Sequence, residues 1–91
     1  MTKPQLGLSA DTQLLLGQLA DTLEQVRPGA EMSEAIRLAR PLVLAERLHG
    51  PTDAAFAAEQ DLLAAMPPVR DEQTRGEYAA LLRLIAQGVA A

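Results

Sequence analysis

The segment SADTQLLLGQLADTLEQV, residues 9–26, decides the fold of this 91-residue chain. Its large apolar residues recur at three- and four-residue steps, which is the spacing of one face of an α-helix. Ser9 is a suitable N-cap, and Pro28 with Gly29 stops the helix. The segment therefore predicts an amphipathic helix over about residues 10–26. The stripe consists of Leu15, Leu16, Leu19, Leu23 and Val26.

Proline and glycine divide the rest of the chain into three further segments with helical spacing. Ser33 and either Thr52 or Asp53 are candidate N-caps, because their side-chain oxygens can accept from free first-turn amides. The second helix is predicted to begin between residues 31 and 34 and to end at residues 49–50. The third should run from just after its cap to residue 66, and the fourth from about residue 71 to residue 87 or 88. Alanine and leucine dominate the composition and aromatic residues make up only 2%. Both features favour helices over strands.

Pro41 lies inside the second segment. Proline lacks an amide donor and its ring clashes with the carbonyl four residues earlier, so we expect a kink or break near Ala39 and Arg40. The sequence thus predicts an all-α fold, a compact bundle of four to five short helices. Residues 1–91 are expected to form one domain, with residues 1–8 irregular. The residues expected to face inward on the second helix are Ile36, Ala39, Val43 and Leu48, with Leu42 or Leu44.

Charge and composition argue against several classes of function. The net charge of −4 disfavours binding to nucleic acid, which requires clustered basic residues. The absence of cysteine excludes disulfides and thiolate chemistry. No unbroken apolar run is longer than that of residues 54–58, which is far shorter than the roughly 20 residues of a membrane span. We expect a cytoplasmic protein without a membrane segment.

Glu46 and the single histidine, His49, are three residues apart and share a helix face. Glu-x-x-His occurs in bundles that bind two metal ions, but such sites need further carboxylates and a second such motif, which a symmetric dimer would supply. The alternative is that His49 lies in the last turn of its helix, where a positive charge is favourable. We expect no metal and no cofactor.

A helix-turn-helix is the second candidate, formed by the second and third segments and the turn between them. Gln60 is the only plausible base-reading residue of the third segment, and Glu59 and Asp61 would face the phosphates. A plain helical hairpin explains the same pattern. DNA binding therefore stays an alternative.

The acidic charge, the length and the four helices are similar in general shape to acyl carrier proteins. That family attaches its prosthetic arm to a serine within an Asp-Ser-Leu motif at the start of the second helix. The serine in that region here is Ser33, between Met32 and Glu34, so the likeness is one of size and charge. Neither serine has a neighbouring base that would make it a nucleophile, and we expect no enzymatic activity.

The remaining signal is a surplus of apolar helix surface over what one small core can hold. Leu14 widens the stripe of the first helix, Leu84 lies away from the stripe of the fourth, and Leu42 and Leu44 point in different directions. A two-fold homodimer is the commonest way to cover such surface. We therefore expect a non-enzymatic protein interaction module that self-associates through the first and fourth helices. The expected contact residues are Leu14, Leu16 and Leu84 as apolar anchors, and Arg37, Arg40 and Arg47 as a charged rim.

Overall fold

A computed structural model describes residues 8–88 of the chain. That part of the chain is helical and contains no strand longer than a single bridge, so the predicted all-α class is confirmed. The segment predicted to be irregular lies, apart from its last residue, outside the described residues. The helices are α1 (Ala10–Gln25), α2 (Glu34–His49), α3 (Asp53–Ala65) and α4 (Arg75–Ala86).

Three of the four helices begin at the N-caps that the sequence predicts. The Ser9 hydroxyl accepts from the Thr12 amide at 3.1 Å and starts α1. Ser33 does the same for α2 at 3.2 Å, and Thr52 for α3 at 3.3 Å. These hydroxyls satisfy amides that have no partner inside the helix, so each start is fixed by local chemistry.

The fourth helix begins at Arg75, four residues later than the sequence predicts. Its N-cap is Thr74, whose hydroxyl accepts from the Glu77 amide at 3.1 Å while the Glu77 carboxylate accepts from the Thr74 amide at 2.9 Å. This reciprocal pair is a capping box. The residues before it form a turn around the buried Gln73, whose side-chain oxygen accepts from the Arg70 amide at 3.0 Å.

Helix α2 is unbroken through Pro41, so the described residues form four helices and the expected break is absent. A kink at Pro41 is not confirmed. The proline ring is fully buried, and this burial offsets part of the free energy lost with the missing amide donor.

Helices α1 and α4 pack against each other as an antiparallel pair, which we call the central pair, and α1 also packs against α2 and α3. The connections at one end of the bundle are joined by backbone hydrogen bonds, from Met32 N to Gln73 O at 2.8 Å and from Gly76 N to Pro28 O at 2.8 Å. A Cβ at position 76 would lie 3.3 Å from that Pro28 oxygen, so glycine suits this close approach.

Helices α2 and α3 are joined by the three residues 50–52 and pack along each other as a helical hairpin, the α2–α3 hairpin. The hairpin lies against α1 on one side and leaves its other side to solvent. Within residues 8–88, no helix combines the length and the hydropathy needed to cross a membrane.

Candidate interaction surface

The fold removes one of the three predicted leucine anchors from the surface. Leu16 is 0% exposed and belongs to the core cluster, together with Leu15 and Leu19. The prediction that Leu16 offers an exposed anchor was wrong, because its side chain points into the face of α1 that packs on the other helices. Leu14 and Leu84 are exposed, by 49% and 44%.

Leu14 lies among polar neighbours rather than in an apolar patch. It borders a shallow depression between α1 and α4 that Leu84 does not line. At the edge of this depression Arg83 donates to Asp21 at 2.8 Å and to Glu24 at 2.6 Å. The depression is lined by Leu14, Gly17, Gln18, Asp21, Arg83, Ala86 and Gln87. Ion pairs therefore border this side of the central pair, which offers no broad apolar face there.

Arg37 has a structural role within the described residues. Its Nε donates to both carboxylate oxygens of Glu34, at 2.9 and 3.1 Å, and its Nη1 donates to the Met66 carbonyl at 3.4 Å. Glu34 also accepts from the Val69 amide at 3.2 Å. These two side chains thus bind α2 to the connection that follows α3.

The same contacts change the acidity of Glu34. The hydrogen bond from Arg37, and after it the one from the Val69 amide, lower the pKa of the Glu34 carboxyl below its ordinary value. The guanidinium of Arg37 is therefore hydrogen-bonded within the subunit. Of the predicted charged rim, Arg40 and Arg47 remain.

The Glu46 and His49 pair is not assembled with further ligands in the part of the chain that the structure describes. His49 Nε2 lies 3.4 Å from Asp11 Oδ2, which brings the end of α2 to the start of α1. Glu46 is exposed. No group of three or more potential metal-ligating residues occurs between residues 8 and 88.

Helix α3, the reading helix in the helix-turn-helix alternative, carries Asp53, Glu59 and Asp61 and no basic residue. Gln60 is exposed, but it lies between two acidic neighbours. If α3 lay in the groove of a DNA duplex, the phosphates would face negative charge on both sides of Gln60, the residue that would contact the bases.

The largest apolar exposure is on the outward side of the α2–α3 hairpin. Phe56, the only phenylalanine, is 61% exposed, and Leu38 is 52% exposed. Val43 and Leu42 follow at 48% and 39%. We call these four residues the hairpin face. The described residues with exposed large apolar side chains are Leu14, Val26, Leu38, Leu42, Val43, Leu48, Phe56 and Leu84, of which five lie on α2 or α3.

Helical geometry explains why these side chains remain outside. The buried residues of α2 are Pro41, Leu44 and Ala45. At about 100° per residue, Val43 points away from the buried side of α2. Leu42 points sideways, between the buried side and the direction of Val43. Leu48 belongs elsewhere, because it lines a groove against α1 together with Gln18.

The two long edges of the hairpin carry opposite charges. Arg47 lines the groove against α1, and Arg40 lies seven residues earlier, on the same edge of α2. Asp61 lies on the far edge of α3, in a depression that it shares with Ser9 and Ile85. Helix α2 has three arginines against two glutamates, whereas α3 has only acidic charged residues.

One feature of the sequence indicates the hairpin face, namely the distribution of apolar residues around α2. Helix α2 has apolar residues on several sides. Such a helix is either buried on more than one side or leaves an apolar side free for a partner. The expected inward set was partly wrong for the same reason. Val43, Leu48 and Ala39 are exposed and Ile36 is partly buried, whereas Leu44, one of the two alternatives, is buried.

Comparison with known protein families, with curated proteins and with solved structures finds no match to this chain.

Proposed function

We propose that this protein is a non-enzymatic helical interaction module of the cytoplasm and that it acts as a homodimer formed through the hairpin face. The observation that carries the proposal is the group of four large apolar side chains on the outward side of one helical hairpin. Three of them lie on α2 and one on α3, and these two helices pack on each other.

The size of this exposure supports a partner. The four side chains of the hairpin face are between 39% and 61% exposed, and exposed apolar surface that forms a patch often marks a partner site. The core of the monomer is already formed by other residues, drawn from all four helices. Covering the hairpin face is therefore left to a second molecule.

A second copy of the chain fits this face in size. Helices of 16 and 13 residues are about 24 and 20 Å long. An identical hairpin would cover the whole face and bury on the order of 600–800 Å² per copy, close to the ~800 Å² of a standard interface. Face-to-face packing of two hairpins also gives a four-helix arrangement, which is a common way to bury apolar helix surface.

This proposal moves the dimer contact from α1 and α4 to α2 and α3. Leu14 and Leu84 remain exposed, but the depression beside Leu14 is lined with polar and charged groups. Apolar anchors at the centre of an interface and charges at its rim are the usual arrangement. On the hairpin, Phe56 and Leu42 supply the apolar anchors, and the exposed Glu46, one turn after Leu42 on α2, supplies a charge beside them.

Sedimentation velocity over a concentration series, from low micromolar to several hundred micromolar, tests the proposal. We expect a reversible monomer–dimer equilibrium for the natural protein. Phe56→Asp is expected to shift it strongly toward monomer, because the charge would have to be buried without a partner. Leu14→Asp is the matched control, since it places the same charge at another exposed apolar position, and its equilibrium should equal that of the natural protein.

Circular dichroism of both variants shows whether they stay folded. A natural protein that remains monomeric at several hundred micromolar would overturn the proposal. Equal weakening by Phe56→Asp and Leu14→Asp, with both folded, would show that the hairpin face is not the contact.

A further inference from the structure

We infer that the two copies stack antiparallel, with α2 on the partner's α2 and α3 on the partner's α3, and that the two Gln60 side chains pair at the two-fold axis. This inference rests on the proposed dimer and adds its geometry. It starts from the side chains that point outward, which is the direction opposite the buried residues of each helix.

The outward sides of the two helices differ in polarity. On α2, the exposed Ala39 and Val43 lie within about 30° of the outward direction, at about 100° of rotation per residue. On α3, the exposed Gln60 lies within about 30° of that direction, one turn after Phe56. The outward side of α2 is thus apolar at mid-length, whereas that of α3 has an amide there.

The heights of these residues along the hairpin follow from the helical rise of about 1.5 Å per residue. Val43 and Ala39 are six and ten residues before the end of α2, and Gln60 is seven residues after the start of α3. They therefore lie about 9, 15 and 10 Å from the turn. The hydrogen bond from Arg37 to Met66 supports these heights, because it joins residues twelve and thirteen positions from the turn ends of the two helices.

Two hairpins that meet face to face around a two-fold axis have two simple arrangements. With the axis parallel to the helices, α2 lies over the partner's α3 and heights are preserved. Gln60 would then be covered by the partner's Leu42 and Val43, which lie at the same height and offer no hydrogen bond. Burying an amide without a partner costs free energy and selects against this arrangement.

With the axis across the helices, each helix lies over its own copy and heights are reversed. An axis about 12 Å from the turn places Val43 of each copy over the partner's Ala39, so that a larger side chain packs on a smaller one. The same axis leaves the two Gln60 residues about 3 Å apart along the hairpin. Each amide can then donate to the oxygen of the other, so this arrangement satisfies the polar group at the centre of the face.

Glu46, the exposed acid one turn after Leu42, is compatible with this stacking. It is three residues before the end of α2, which places it about 8 Å from the axis. The carboxylates of the two copies are therefore about 15 Å apart along the hairpin, beyond the Debye length of about 8 Å at physiological ionic strength. Their mutual repulsion is weak.

Pulsed electron double resonance on Pro51→Cys with a nitroxide label tests the stacking. The chain has no cysteine of its own, and Pro51 is exposed in the turn. Antiparallel stacking places the two turns at opposite ends of the dimer, and we expect a distance of about 30 Å. With α2 over the partner's α3, both turns lie at one end, within about 20 Å of each other. Adding Phe56→Asp to the labelled variant is the control and should abolish the distance.

Mixing Gln60→Glu with Gln60→Lys tests the contact at the axis. Each variant alone places like charges against each other, and we expect it to dimerise about tenfold more weakly than the natural protein. The equimolar mixture places opposite charges there and should recover association as a heterodimer, which native mass spectrometry detects. Gln87→Lys, at an exposed glutamine outside the hairpin, is the control and should not recover association with Gln60→Glu.

Circular dichroism shows whether the variants stay folded. If Phe56→Asp disrupts the natural dimer, but the labels lie within about 20 Å or the mixture shows no recovery, the stacking is wrong and the hairpin face stands. If the natural protein does not dimerise, the proposed function itself fails.

Discussion

The central pair and the α2–α3 hairpin use similar amounts of apolar sequence in different ways. Helix α1 buries six of its 16 residues, whereas α2, of equal length, buries three. Helix α1 packs against all three other helices, while α2 packs mainly on α3. The helix with the most neighbours, α1, thus has the largest buried share of the four. The following predictions test this difference, starting with the largest effect.

Leu16 and Leu14, two residues apart on α1, give the sharpest contrast inside one helix. Leu16→Ala is expected to lower the free energy of unfolding by about 2–5 kcal/mol, because it leaves a cavity in a packed core. Leu14→Ala should stay within about 0.5 kcal/mol of the natural protein. Chemical denaturation at low protein concentration measures both, and equal losses would contradict the assignment of the buried face.

Tyr78, on α4 of the central pair, is expected to make the free energy of unfolding depend on pH in alkaline solution. Its buried hydroxyl donates to the Pro67 carbonyl at 2.7 Å, and burial raises the pKa of Tyr78 from 10.0 to about 12. The unfolded chain loses this proton near pH 10 and the folded protein near pH 12. Stability is therefore full below pH 10 and is expected to fall by about 2 kcal/mol as the pH rises to 12.

Tyr78→Phe removes the titrating group and is the control for that pH dependence. We expect it to cost about 1 kcal/mol at pH 7, because the Pro67 carbonyl loses its donor. The decline specific to the range between pH 10 and 12 should be absent in this variant. The same decline in both proteins would show that Tyr78 is not its source.

Thr74→Ala is expected to lower the free energy of unfolding by about 1 kcal/mol, because it removes the hydroxyl that caps α4. Glu77→Gln, which keeps an acceptor for the Thr74 amide, should cost less. Thermal unfolding of the two variants compares them. A larger loss for Glu77→Gln would argue against the capping box as the element that starts this helix.

Phe56→Ser is expected to have the smallest effect on the monomer. In dilute solution its free energy of unfolding should lie within about 0.5 kcal/mol of the natural value, since the side chain is largely in water. Denaturation at low micromolar concentration measures it. A loss of several kcal/mol would mean that Phe56 supports the fold of the monomer instead of an interface.

Local chemistry made much of the fold predictable. The caps at Ser9, Ser33 and Thr52 depend on residues within one turn, and all three are found in the structure. The start of α4 was missed although Thr74 and Glu77 show the Thr-x-x-Glu pattern of a capping box. The start was predicted near Asp71, but Glu72 adopts a φ of 63°, outside the helical region.

The candidate site was much less predictable, for a physical reason. A helix with apolar residues on several sides, as in α2, does not reveal from its own sequence which side meets the core. That choice depends on contacts with distant parts of the chain, such as the hydrogen bond from Arg37 to Met66. Of the predicted contact residues, Arg40 and Arg47 remain at the edge of the surface proposed here, and Leu16 is buried.

Methyl NMR of the natural protein across a concentration series tests the central claim most directly, because it reports each region separately in one sample. We expect the methyl signals of Leu38, Leu42 and Val43 to shift or broaden as the concentration rises, and those of Leu14 and Leu84 to stay unchanged. The reverse pattern, with changes at Leu14 and Leu84 and none on the hairpin, would contradict the account.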